Sequence, residues 1–138
     1  MKSSISHNKL NKHETGFLEI RVMDNRNIPI PNALISIAKI SYSGIYNEGA
    51  EGITLVEPHT DNNGIVHIEL LVLNELMGSN DFYSAKISKE GYYDFYIYYI
   101  QIYPNIDSSY DINLTPRTNG VERFMFLFQP KRRSVHDH

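Results

Sequence analysis

The chain has 138 residues, 41% of them hydrophobic and 21% charged, the mix of one globular domain large enough to bury a core. Its formal net charge of -3 leaves out the basic footprint that nucleic-acid tracking needs, and the run Lys131-Arg132-Arg133 is too short to supply one. Without cysteine there are no disulfides and no thiolate metal sites, and no segment approaches the roughly 20 apolar residues of a membrane span.

Residues 1–15 are rich in Ser, Asn, Lys and His and read as a flexible arm, with no apolar stretch of signal-peptide length. Residues 17–23 alternate, Leu18, Ile20 and Val22 on one face and Glu19 and Arg21 on the other. That period of two predicts a strand with one buried side. Asp24-Asn25-Arg26-Asn27 is turn chemistry, and Pro29 and Pro31 place the next stretch at an edge or in a connection. Ala33, Ile35 and Ile37 predict the inner face of a second strand, and residues 53–56 a short third after a polar loop.

Asp61-Asn62-Asn63-Gly64 reads as a tight turn, Asp61 and Asn62 or Asn63 capping amides and Gly64 taking a positive φ. Val66, Ile68 and Leu70 alternate after it. Residues 74–80 form a further loop, residues 82–88 a strand, and Lys89-Glu90-Gly91 a turn into a tyrosine-dense segment. Tyr110, Ile112 and Leu114 belong to the strand that Pro116 closes. Short strands at regular spacing, punctuated by Gly, Pro, Asn and Asp, predict an all-β sandwich.

Five signals in this order resemble a known family. They are Gly16-Phe-Leu-Glu-Ile-Arg-Val, Ile28-Pro-Ile-Pro-Asn-Ala-Leu-Ile, Thr60-Asp-Asn-Asn-Gly, residues 83–87 followed by Lys89-Glu-Gly-Tyr, and Ile112-Asn-Leu-Thr-Pro. Over residues 16–116 the chain resembles the carboxypeptidase-regulatory-like domain. Within that group it is most similar to the N-terminal pro-domain of clostridial spore cortex-lytic enzymes. The resemblance implies a transthyretin-like or immunoglobulin-like antiparallel β-sandwich of about seven strands, to which a C-terminal strand at residues 121–128 is added. Residues 117–138 then hold that strand and a basic, His-containing tail. It also implies an accessory module associated with a spore or cell envelope, without a hydrolase domain behind it. The lack of a signal peptide gives the expectation of synthesis in the cytoplasm and leaves the final compartment open.

Candidate sites are few. His7 and His13 fall in the arm, and His136-Asp137-His138 at the end of the chain, so neither pair is held for catalysis. His59 and His67 flank the Asp61–Gly64 turn, where a two-His site with Asp61 or Glu69 competes with a solvated cross-strand pair. The turn itself fails calcium-loop spacing, because Val72 stands where the closing carboxylate belongs. A transthyretin-like hydrolase of the hydroxyisourate type would need a Tyr-Arg-Gly-Ser ending, which this chain lacks. No Gly-x-Ser-x-Gly elbow occurs, and the first strand has no Lys for a pilin-type isopeptide. The reading is therefore no catalytic residue, no metal ligand and no cofactor.

Two features remain. Tyr92, Tyr93, Tyr96, Tyr98, Tyr99 and Tyr103 crowd one segment. Either Tyr93, Phe95 and Tyr99 point inward with Tyr92, Tyr96 and Tyr98 outward, or the reverse. Tyr92, Tyr96 and Tyr98 are the candidate ligand-binding residues, suited to stacking on sugar rings or a partner, against plain cross-strand packing. Val121-Glu-Arg-Phe-Met-Phe-Leu-Phe is strongly apolar and must be covered, either as an extra strand of its own sheet or by donation to another chain. Phe124, Phe126 and Phe128 are its candidate partner-binding residues. The expected function is a non-catalytic accessory module for a protein partner or peptidoglycan, with a self-assembling subunit as the second reading and a hydrolase as the third.

Overall fold

The computed structural model describes residues 14–43, 49–73 and 81–128. The arm at residues 1–13, parts of the two long loops (44–48 and 74–80) and the tail at 129–138 lie outside the described residues.

Among the described residues eight strands follow in chain order: β1 (Thr15–Met23), β2 (Leu34–Ser43), β3 (Gly49–Val56), β4 (Ile65–Leu71), β5 (Asp81–Ser88), β6 (Phe95–Ile100), β7 (Asp107–Asn113) and β8 (Met125–Phe128). They form two sheets, β4-β1-β7 and β3-β2-β5-β6-β8. This is the expected all-β sandwich of seven strands plus a C-terminal one. Among the described residues no helix is long and apolar enough to cross a membrane.

One expectation fails. The sandwich is mixed rather than antiparallel, because β1 pairs parallel with β7 and β6 parallel with β8. The reason is the path of the chain. After β6 it crosses to the smaller sheet for β7 and then crosses back, so β8 returns running in the direction of β6. A hairpin turn reverses a strand, whereas a crossover through the opposite sheet does not.

The core follows from the alternation. Leu18, Ile20 and Val22 of β1 are fully buried against Ile35 and Ile37 of β2, Ala85 and Ile87 of β5 and Ile97 and Ile100 of β6 within one cluster. Leu127 of β8 packs against the same cluster from the end of the larger sheet. Completely burying one such aliphatic chain contributes roughly 1.5–3 kcal/mol, so this shared interior dominates the stability of the fold.

The turns do what their residues predict. Asp61 accepts the amides of Asn63 and Ile65 on Oδ1 at 2.8 and 3.0 Å, and Gly64 has φ +76. A Cβ at Gly64 would lie 2.5 Å from the Val22 carbonyl oxygen, so glycine is demanded by space as well as by backbone angle. Asp24 likewise accepts from Arg26 and Ile28 amides at 2.8 and 2.9 Å, and those bonds hold its carboxyl below the ordinary 3.8. A clip that the sequence does not announce joins the sheets' connections. The buried Thr60 hydroxyl accepts from the Ala33 amide and donates to the Ile30 carbonyl, both at 2.8 Å.

Candidate functional site

The outer face of the five-stranded sheet carries a continuous band of aromatic rings. Strand alternation builds it. In β5, Tyr83, Ala85 and Ile87 point into the core, so Phe82 faces out. In β8, Met125 and Leu127 turn inward while Phe126 and Phe128 turn outward, with Phe124 just before them. The parallel register then sets Tyr96 beside Phe126 and Tyr98 beside Phe128.

The band runs unbroken. Tyr42 packs on Phe82 (centroids 5.6 Å), Phe82 on Tyr99 (4.4 Å), and Tyr99 on Phe128 (5.6 Å). Tyr98 touches both Phe126 and Phe128, Tyr96 meets Phe124 edge-on at 5.6 Å, and Tyr96 and Tyr98 lie nearly parallel at 5.9 Å. At the β8 end the rings are open to solvent: Phe124, Phe126 and Phe128 are 57%, 51% and 50% exposed. At the β2 end they cover one another, and Phe82 is only 9% exposed.

Tyr99 departs from simple alternation. It sits in a β-bulge where three steps along β6, Ile97 to Ile100, face two steps along β5, Ala85 to Tyr83. The bulge lets Ile97 and Ile100 both enter the core and throws Tyr99 outward with φ +62. A non-glycine residue there carries backbone strain of roughly 1–2 kcal/mol. The Tyr99 hydroxyl meets that of Tyr42 at 3.1 Å, and this bond raises the Tyr42 pKa above its ordinary 10.

A second tyrosine holds β8 in place. Tyr93 is fully buried, and its hydroxyl accepts from the Thr118 amide at 2.9 Å. Its proton is shared between the carbonyls of Val121 (2.9 Å) and Thr118 (3.2 Å). The guanidiniums of Arg117 and Arg123 each lie 5.1 Å from the ring centre. Burial pushes the hydroxyl up, but the Thr118 bonds and the Arg123 charge outweigh it and lower its pKa. Through this one side chain the segment between β7 and β8 is clamped to the start of β6.

Of the candidate ligand-binding tyrosines, Tyr96 and Tyr98 stand together on the aromatic face. Tyr92 stands apart. It packs against the core cluster and bridges Pro116, at a shallow cleft shared with Lys89, Glu90, Asp94 and Arg117. The candidate partner-binding residues Phe124, Phe126 and Phe128 are joined to Tyr96 and Tyr98 in one surface. The inward alternative with Tyr99 is corrected by the bulge, while Tyr93 does go in and Phe95 is half-buried against the core. The apolar segment packs within its own sheet through β8, yet among the described residues nothing covers its phenylalanine side.

The two histidines do not face each other. His59 bridges Leu34 of the larger sheet, whereas His67 lies in β4 opposite Glu19 of β1. Glu69 is engaged by the Thr15 hydroxyl at 2.6 Å, and Asp61 by its own turn. The two-His arrangement with Asp61 or Glu69 is therefore not formed.

No protein-family model matches the sequence, and no curated protein matches it. Solved structures of similar fold include a catechol 1,2-dioxygenase mutant of Acinetobacter radioresistens, 12% identical, with a TM-score of 0.52 over 86% of this chain and 59% of that one. The Bacillus anthracis TIE protein is 21% identical, with a TM-score of 0.51 over 75% of this chain and 17% of that one. The C-terminal domain of the shaft pilin SpaA from Lactobacillus rhamnosus GG is 10% identical, with a TM-score of 0.44 over 75% of this chain and 98% of that one. The chain thus spans about three-fifths of the dioxygenase and a sixth of the TIE protein. At these identities the likeness concerns the β-sandwich alone. It does not reach the carboxypeptidase-regulatory-like domain or the spore pro-domain.

Proposed function

We propose that this chain is a non-catalytic interaction module that receives a protein strand at the β8 edge and covers its aromatic face with that partner. The observation that carries this reading is the half-exposure of Phe126 and Phe128 on the edge strand β8, and of Phe124 just before it, with one side of that strand unpaired among the described residues. Closing three half-exposed rings removes on the order of 300 Å² of apolar surface from water, which contributes about 7 kcal/mol. Association itself costs about 4–15 kcal/mol. Rings alone leave binding marginal, so main-chain hydrogen bonds along β8 supply the remainder.

Phenylalanine favours a protein over a sugar, since it offers no hydrogen bond to a hydroxyl-covered ligand. The proposed occupant is a second copy of the chain, because β8 pairing with β8 about a two-fold axis is self-complementary. One observation favours a glycan instead: Tyr96 and Tyr98 lie 5° from parallel, with Lys86 and Asp94 at their rim. The envelope setting rests on the five ordered signals in the sequence, and peptidoglycan is the glycan it names.

Sedimentation velocity of the full chain from micromolar to millimolar concentration tests the first reading, with co-sedimentation on purified peptidoglycan beside it. Concentration-dependent association, lost in Phe126→Ser/Phe128→Ser with the melting temperature retained, is the expected result. A protein that stays monomeric but pellets with peptidoglycan, and is released by Tyr98→Ala, establishes the glycan reading in its place. A monomer that ignores peptidoglycan sinks both.

A further inference from the structure

The opposite face of the sandwich brings three metal-ligating side chains together from three strands. We infer that Glu19 of β1, His67 of β4 and Asp107 of β7 form a site for a divalent transition-metal ion, Zn²⁺ above all.

Register creates the cluster. Glu19 and His67 are direct antiparallel partners, and β7 lies on the other side of β1, with Asp107 opposite Phe17 and so diagonal to Glu19. One ligand atom from each lies within 4.8 Å of the other two. His67 Nε2 stands 3.6 Å from Asp107 Oδ2. Donors bound to one zinc ion at about 2.0–2.2 Å stand near this separation. The remaining adjustment falls on the two carboxylates, Asp107 exposed and Glu19 partly so.

Two further observations point the same way. The Phe17 ring lies against the imidazole, centroids 4.8 Å apart and 14° from parallel, which holds His67 in the orientation that turns Nε2 to the carboxylates. The local charge is also uncompensated. Among the described residues neither Glu19 nor Asp107 has a Lys or Arg ion-pair partner, and the cation on this face, Arg21, leans toward Asp111 at 4.0 Å. Two carboxylates and one imidazole suit a borderline divalent ion. Mg²⁺, which keeps its waters and prefers oxygen, is a poorer fit. Three protein ligands leave a coordination position for water or for a partner's side chain. The ion would tie β4, β1 and β7 together.

The chain holds other histidines, so binding alone would not locate the ion. Melting temperature separates the sites, since an ion held across three strands binds only the folded chain. An ion held by one local run of residues binds folded and unfolded chains alike. Thermal unfolding of the full chain is therefore followed after chelator treatment, with added ZnCl₂ and with MgCl₂ as control. The expected result is a rise of roughly 5–10 °C when Zn²⁺ stands about 100-fold above its dissociation constant. The rise should persist in His59→Ala and vanish in His67→Ala. Asp107→Asn, which keeps both size and the Phe17 stack, should weaken binding at least tenfold. An unmoved wild-type melting temperature, an equal response to Mg²⁺, or an undiminished rise in His67→Ala overturns the assignment.

Discussion

The two outer faces of this sandwich obey the same alternation yet meet water on opposite terms. On the three-stranded sheet, the outward positions of β1 are Phe17, Glu19 and Arg21, beside His67, Glu69, Asp107 and Asp111: a polar, mostly acidic face that includes the inferred metal site. On the five-stranded sheet they are Tyr96, Tyr98, Phe126 and Phe128, and among the described residues nothing covers the outer part of that band. Folding explains the inward side of both sheets, because one core accepts both. It does not explain phenylalanine facing water. Outward residues are free to vary as far as the core is concerned, so the difference between the faces belongs to what they contact.

The largest way to break the comparison is through the turns that feed each sheet. Gly64→Ala, in the turn ahead of β4, adds a Cβ against the Val22 carbonyl at a positive φ, and should destabilise by about 3 kcal/mol or more. Gly91→Ala, ahead of β6, meets nothing within 4 Å and should cost only about 1 kcal/mol for its φ of +92. Equal losses in chemical denaturation would mean that the close approach to Val22 is relieved by movement.

A smaller effect lies within β8 itself. Leu127→Ala withdraws an inward side chain and should cost about 2 kcal/mol. Phe126→Ser, one residue away and outward, should change stability by less than about 1 kcal/mol while altering association. If the two substitutions destabilise alike, the outer ring packs for the fold rather than for a partner. Smallest of all, Arg21→Ala should shift stability by no more than about 0.5 kcal/mol, since its contact with Asp111 is long and exposed.

Most of the fold was legible locally. The alternation of β1, the capped turn at Asp61 and the glycines at 64 and 91 each depend on a few neighbouring residues. What stayed hidden depends on pairings across the sequence. The parallel course of β7 and β8 follows from crossovers that no local pattern records. The Tyr99 bulge arises because both Ile97 and Ile100 are drawn into the core, which breaks the period of two. Tyr96, Tyr98, Phe126 and Phe128 were identifiable as candidates, but their union in one surface needed the parallel register. Glu19, His67 and Asp107 are separated by 88 positions from first to last and carry no spacing motif. Tyr92 shows the converse: one segment, read as one face, delivers its first tyrosine somewhere else.

The aromatic band also has an optical consequence. The chain contains no tryptophan, so its near-ultraviolet absorption and its emission come chiefly from ten tyrosines. Four of them, Tyr42, Tyr96, Tyr98 and Tyr99, belong to the band. Whatever settles on that face changes the polarity around nearly half of the fluorophores at once. The unlabelled protein can therefore report occupancy of its own surface by its intrinsic emission.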